Sequence, residues 1–302
     1  MPGQRRPGMD HEIYDWSPII SRPTLRWPNG ARVAFCVIVN LEHYEWAPPK
    51  TSYVVPAMPG GGPPQPYPDI RAFSQREYGN RVGVFSVMEA LDKYGFKATV
   101  ALDATVAEGY PFLVQECAKR GWEFIGHGIT ANTYITSEMS EEQERSYIST
   151  SLEAVTRATG QRPVGWLGPG MSESTRTTEL LAQAGIRYVC DWPNDDQPYR
   201  MRAGDGQLYS LPVSLELDDF MMLWMQRVPV TSYDGIVREA FDVLYREGEQ
   251  SGRLLVLNIH PWLLGQPYRV KRLHQALAHI SRHKAVWNAT GREIIDWYAS
   301  HS

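Results

Sequence analysis

Cysteine is scarce in this 302-residue chain: Cys36, Cys117 and Cys190 are the whole complement. Three thiols cannot all pair internally, and no two stand in a C-x-x-C spacing. Cys36 and Cys190 lie in apolar, strand-like runs, where a reduced cysteine behaves as a small hydrophobe. The expectation is a reducing compartment, the cytoplasm. An excess of positive charge is also missing. Lysine plus arginine is 30 against 34 for aspartate plus glutamate, a net charge of −4. With no long basic run, neither nucleic acid nor an anionic membrane is an expected partner. Long apolar runs are absent too. The stretch Val33 to Val39 is far too short to span a bilayer, and MPGQRRPGMDHEIYDW has no apolar core of the kind a secretory signal needs. A glycine-rich phosphate loop is lacking as well, because Gly60 to Gly62 follows no strand and opens no helix.

What is present is the composition of a globular protein, 43% hydrophobic and 21% charged, which excludes a disordered chain and leaves enough material for a substantial core. Ten tryptophans and sixteen tyrosines can fill that core or wall a small-molecule pocket.

Residues 1–30 read as an extended N-terminal arm that wraps the domain or reaches a neighbouring subunit. Residues 31–302 read as one catalytic domain, with a Pro/Gly-rich insertion at about 47–80 whose PAMPGGGPPQPYP core (Pro56 to Pro68) cannot be helix or central strand. Val33 to Leu41 is β-branched and continuously apolar, as a strand buried on both faces reads. From Arg81 onward, helical and strand-like segments alternate about seven times, which predicts an α/β protein with a mainly parallel sheet. Ser140 followed by Gln143 is a capping-box signature for a helix running to about Arg157. An open sheet and a closed barrel both fit the alternation. A (β/α) barrel is favoured because so many strand ends carry polar or special residues: Glu42-His43, His127, Gly168-Pro169-Gly170, Asp191 and His260.

Each of those ends has its own chemistry. A carboxylate at Glu42, directly after a buried strand, is costly unless paired, metal-bound or used as a base. His127 is flanked by glycines that let another group approach. His260 ends LLVLNIHPW and is locked by Pro261, well placed for general acid–base work. Asp191 could fix the tautomer of a catalytic histidine. Asp195 and Asp196 sit in a good turn context. His279 and His283 are four apart on a predicted helix, a spacing that can hold metal, but Arg282 and Lys284 favour a solvated face.

Taken together, VNLEHYEW, GWEFIGHGITANTY, QRPVGWLGPGMSESTRTTELLAQAGIRYVCDWPNDDQPY, SLPVSLELDDF and LNIHPWLLGQPYRVKRLHQALAHISRHKAVWNATGREIIDWY resemble the polysaccharide deacetylase superfamily. More closely, they resemble its branch of cofactor-independent allantoinases and related cyclic-imide hydrolases. The resemblance implies a deformed (β/α) barrel that hydrolyses a carbon–nitrogen or ester acyl bond. In metal-dependent relatives two adjacent acids follow the first strand, and the matching positions here are Glu42 and His43. Those relatives carry a His-x-x-x-His pair after a later strand. Here the first is His127, and Ala131 stands where the second would be. No cofactor is favoured, with a divalent metal such as zinc on His43 and His127 as the alternative. The arginine that ends a later strand in relatives is also missing from Gly165 to Gly170.

The expected mechanism gives Glu42 the role of base, with His127 orienting the water or polarising the carbonyl. Protonated His260 is the acid, Asp191 its assistant. Backbone amides near Gly168 to Gly170 are candidate oxyanion donors. Trp46, Trp166 and Trp262 wall the pocket, with Asn132 beside them, and favour a small cyclic amide, imide or ureide. A metal-dependent deacetylase of N-acetylated sugars and an inactive ligand-binding barrel are the alternatives. The N-terminal arm and the exposed-looking aromatics Trp16, Trp27 and Tyr53 point to a homo-oligomer, and the resembling allantoinases to a tetramer.

Overall fold

The computed structural model describes residues 11–47, 67–204 and 206–301. Its sheet is built around β1 (Val33–Leu41), all nine residues of which are buried. β2 (Thr99–Leu102), β3 (Glu123–Gly126), β4 (Gly165–Trp166) and β5 (Tyr188–Val189) follow on one side of β1, each parallel to the last. β6 (Tyr199–Ala203) and β7 (Gly206–Ser210) form an antiparallel hairpin, and β7 continues the sheet beside β5. β8 (Arg253–Ile259) lies parallel on the other side of β1, and β9 (Val286–Asn288) pairs with the start of β1. The order β6-β7-β5-β4-β3-β2-β1-β8 is that of a curled, incompletely closed barrel, the deformed (β/α) barrel expected from the sequence.

Period-two alternation splits β1 between two cores. Val33, Phe35, Val37, Val39 and Leu41 face the outer helices, and their partners include Val84, Leu91, Phe241 and Leu277. The smaller Ala34 and Cys36, with Ile38, face the barrel interior beside Ala101, Ile125 and Cys190. Small side chains suit the narrow inside of a curled sheet, and bulky ones fill the wider layer under the helices. All three cysteines are buried free thiols.

The gap between the sheet's edge strands, β6 and β8, is bridged without a strand pair by the chain that follows β7. Leu211 still donates its N–H to Val189 O of β5, and three residues later Ser214 donates to Val256 O of β8. Leu254 N–H of β8 reaches Asp196 O.

The capping box is present: Ser140 Oγ accepts the Gln143 N–H at 3.2 Å, and Gln143 Oε1 accepts the Ser140 N–H at 2.8 Å. The helix it opens spans Glu141–Thr159. Elements not expected from the sequence include the β6–β7 hairpin, a helix over Ile70–Tyr78 inside the insertion and a helix over Ala104–Gly109 after β2. Most of Pro56 to Pro68, and Tyr53, lie outside the described residues. The arm's described part is tied to the barrel. Arg22 pairs with Asp195, and Trp27 Nε1 donates to Arg253 O at 2.8 Å. Trp27 is buried against Gly252, which corrects its reading as an exposed aromatic, while Trp16 is 69% exposed. A groove of about 1240 Å³ runs along this arm and contains none of Glu42, His127 or His260. Among the described residues no helix is long and apolar enough to cross a membrane.

Candidate active site

Register brings the strand ends level. Leu41 pairs with Leu102, Leu102 with Gly126, Gly126 with Trp166, and Trp166 with Val189. Val39 pairs with Ile259 on the other side. The residues just beyond, Glu42, His127 and His260, therefore leave the sheet at the same edge, where parallel barrels place their functional groups.

They converge on one carboxylate oxygen. Glu42 Oε1 lies 3.4 Å from His127 Nε2 and 3.9 Å from His260 Nε2. Burial works against the charge on Glu42, but His260, His127 and Arg76 outweigh it and bring its pKa down to about 2. His127 Nδ1 lies 2.5 Å from Leu167 O, a carbonyl that can only accept. Nδ1 therefore carries a proton, and Nε2, which faces the Glu42 carboxylate, can bond it only as a donor, with the ring protonated at both nitrogens. His260 Nδ1 lies 2.7 Å from Asp219 Oδ1, and the same carboxylate accepts the His260 backbone N–H at 3.0 and 3.1 Å. Burial opposes the charge on His260, yet Asp219 and Glu42 raise its pKa to about 9. Asp219 in turn is raised by burial to about 6, against the pull of His260.

Asp218 extends this support inward. Its Oδ2 accepts from Asn258 Nδ2 at 2.6 Å, and Asn258 Oδ1 accepts from Asn40 Nδ2 at 2.7 Å. Asp103, at the end of β2, accepts the His43 and Val106 N–H groups and so fixes the loop that carries Glu42. Asn80 Nδ2 donates to Glu42 O at 2.8 Å. On the His127 side, Gly128 has φ +70°, and a Cβ there would stand 2.1 Å from the Tyr147 hydroxyl. That hydroxyl accepts the Ile129 N–H and donates to Thr133 O, pinning the loop.

Several expected roles are corrected. The carboxylate at His260 is Asp219, not Asp191. Asp191 Oδ1 instead accepts the Gly168 N–H at 2.7 Å. Burial, and then the facing Glu173, raise the Asp191 pKa well above its ordinary value. Gly168 is consequently unavailable as an oxyanion donor. Pro169 has no N–H, and the Met171 and Ser172 amides go to Gly168 O and Pro169 O. Gly170 is the amide left for that role, in an exposed position beside Tyr134. Trp166 has no exposed surface and packs against Gly126 and Leu152, so it is core rather than pocket wall. Trp262 does lie at the site, its ring 6.3 Å from that of His260 and backed by Phe220 and Trp224. Trp46 is 51% exposed at the outer rim, against Phe73. Asn132 is buried, and its Oδ1 accepts the Glu45 N–H at 3.1 Å.

The proposed metal pair is not assembled. The His43 ring packs on Phe73, and burial lowers its pKa. Among the described residues no group of three His, Cys, Asp or Glu ligand atoms within 4.8 Å includes His43 or His127. Ala131 gives no ligand, and its N–H donates to His43 O. Asp218, Asp219 and His260 do cluster at ligand spacing, but the oxygens of both acids already accept hydrogen bonds. The residues present therefore do not fit the metal that the deacetylase resemblance implies.

Two residues at the site had no role in the sequence reading. Asp219 lies in SLELDDF, a block quoted for its resemblance alone. Arg76 lies in the insertion, with its guanidinium 4.1 Å from the centre of the Trp262 ring and 4.9 Å from that of Tyr44.

Residues 77–189 match the polysaccharide deacetylase family. A Schizosaccharomyces pombe protein provisionally assigned to the polysaccharide deacetylases is 27% identical over 94% of this chain and 95% of its own. A peptidoglycan deacetylase of Helicobacter pylori is 25% identical over 72% of this chain and 84% of its own. The crystal structure of PuuE allantoinase superposes with a TM-score of 0.81 at 25% identity, covering 95% of this chain and 99% of that one. With the strand order described above, these likenesses identify a polysaccharide deacetylase domain at residues 77–189 within a chain that shares the fold of those proteins, and they support a hydrolase acting on carbon–nitrogen bonds.

Proposed function

We propose that the protein opens a small cyclic amide, imide or ureide by acid–base chemistry of its own side chains. The observation that carries this reading is Glu42 Oε1 set between two imidazole Nε2 atoms, one of them on a ring bound to Asp219. Glu42, ionised at neutral pH, takes a proton from water. The hydroxide adds to the ring carbonyl. His127 Nε2, beside the same carboxylate oxygen, orients the water or polarises the carbonyl. The Gly170 N–H faces the developing oxyanion. Protonated His260 passes its Nε2 proton to the ring nitrogen as the carbon–nitrogen bond breaks, with Asp219 holding the positive ring until then. Water has then been added across one C–N bond, and the proton on Glu42 returns to His260 through solvent. No step calls on a metal, because the donor set does not fit one.

The preference for a compact ring rests on Trp262, Phe220 and Tyr44 crowding the site, and on the fold likeness to an allantoinase. The test is turnover of hydantoin, succinimide, allantoin and dihydrouracil by the purified protein, before and after chelation, with Glu42→Gln as control. Ring opening that survives chelation and is lost in the variant is expected. Deacetylation of N-acetylglucosamine oligomers only with added zinc, and no ring opening, would instead establish the deacetylase reading that the two named relatives favour.

A further inference from the structure

We propose that Arg76 is a substrate-binding residue that anchors an anionic substituent, a carboxylate in the simplest case, on the ring this site opens. The inference rests on the ring-opening reading and names its substrate class.

Arg76 is half-buried at the end of the helix Ile70–Tyr78. Its guanidinium carbon lies over the rings of both Trp262 and Tyr44, and Trp262 neighbours His260. Among the described residues no carboxylate is within 4.0 Å of it, and its Nε is buried without an acceptor. Stacking on aromatic rings uses the faces of the guanidinium and leaves its edge free. That edge carries five N–H donors in a planar fork that matches a carboxylate. Arg76 is close enough to favour the charge on Glu42, so an anchored anion would lie beside the base.

The fold holds this arrangement firmly. The segment after the helix, Gly79–Gly83, crosses the turn at Pro261–Leu264 with almost no space between backbones. A Cβ at Gly83 would stand 2.1 Å from Pro261 O. Arg76 and Trp262 are thus carried by two segments in direct backbone contact. A cation that merely shielded Trp262 could be replaced by any long side chain. A cation that binds substrate discriminates between rings by charge.

The experiment compares hydantoin with hydantoin-5-acetic acid, the same ring without and with a carboxylate. The native protein should prefer the acid in kcat/KM. Arg76→Gln should raise KM for the acid by about 10- to 100-fold, the worth of a charged hydrogen-bonded pair. Its KM for hydantoin should change by less than about threefold. Arg76→Lys should recover part of the loss, because it keeps the charge without the fork. Any weakening of Glu42 appears separately, as a shared shift in the acid limb of kcat for both rings. Equal KM changes for the two rings, or a native preference for hydantoin, overturn the proposal while leaving ring opening intact. If neither ring is opened, the ring-opening reading fails. Calorimetric binding of the two rings to Glu42→Gln, with and without Arg76→Gln, then decides the anchor: tighter binding of the acid that Arg76→Gln abolishes supports it, and no difference overturns it.

Discussion

Asp219 grips His260 in two places, the ring at Nδ1 and the backbone at N–H, with one carboxylate. Ring and chain are fixed together, so the Nε2 proton can point only toward Glu42. Asp219→Asn removes the largest influence raising His260. The alkaline limb of kcat/KM should move from about pH 9 toward the ordinary histidine value, because the acid must be protonated to act. Activity at pH 8 should fall about 10- to 100-fold and at pH 6 much less. An unmoved limb in the pH–rate profile would exclude the Asp219–His260 pair from the proton transfer.

The same shift makes a stability statement. A histidine raised from 6.5 to about 9 on folding contributes stability in full below pH 6.5 and loses it as pH climbs through 9. Glu42, lowered to about 2, contributes above its ordinary 4.5 and loses that contribution as pH falls through 2. Urea unfolding of the native protein should therefore weaken between pH 7 and 10, and His260→Gln should flatten that slope.

Glu42→Gln should fold and lose about 10²- to 10⁴-fold in kcat with little change in KM, the scale of a positioned base. It should also lower the His260 pKa, since Glu42 helps to raise it. An NMR titration of the His260 ring would report both partners at once.

Asp191→Asn should leave kcat within about threefold and the alkaline limb in place, because the amide oxygen still accepts the Gly168 N–H and burial already opposes the charge on Asp191. Asp191→Ala orphans that N–H and should cost about 1–3 kcal/mol of stability in denaturant melts. A collapse of kcat in the asparagine variant would return Asp191 to the catalytic set.

Gly128→Ala forces a Cβ against the Tyr147 hydroxyl and Pro169 in a left-handed backbone. It should destabilise by about 2–4 kcal/mol, combining overpacking with the unfavourable φ. It should lower the melting temperature and reduce kcat by displacing His127.

Fold and catalytic edge were legible in the sequence because local signals carried them. The uninterrupted apolar run of β1 announced a strand buried on both faces, and the Ser140–Gln143 box marked a helix start. Glu42, His127 and His260 each follow a recognisable strand, so a barrel brings them together whatever the loops do. Asp219 and Arg76 escaped because their value is set by register across distant segments. Asp219 stands 41 positions from His260 in the chain, in a run with no strand to frame it. Asp191 was misjudged for the same reason: adjacency to a strand end says which edge a residue occupies, and not which neighbour it faces. Trp166 shows the limit of composition, since an aromatic at a strand end can turn inward when a glycine such as Gly126 leaves room beneath it.

The barrel's unfinished closure has a consequence for how the enzyme can be tuned. The segment that crosses from β7 to β8 is stitched by Ser214 and, five residues later, delivers Asp219. The carboxylate bound to His260 therefore hangs from the join across the gap in the wall, while Glu42 and His127 follow strands of the continuous ladder. Substitutions that loosen or tighten that join, such as Ser214→Ala, offer a way to adjust proton delivery without touching the groups that activate water.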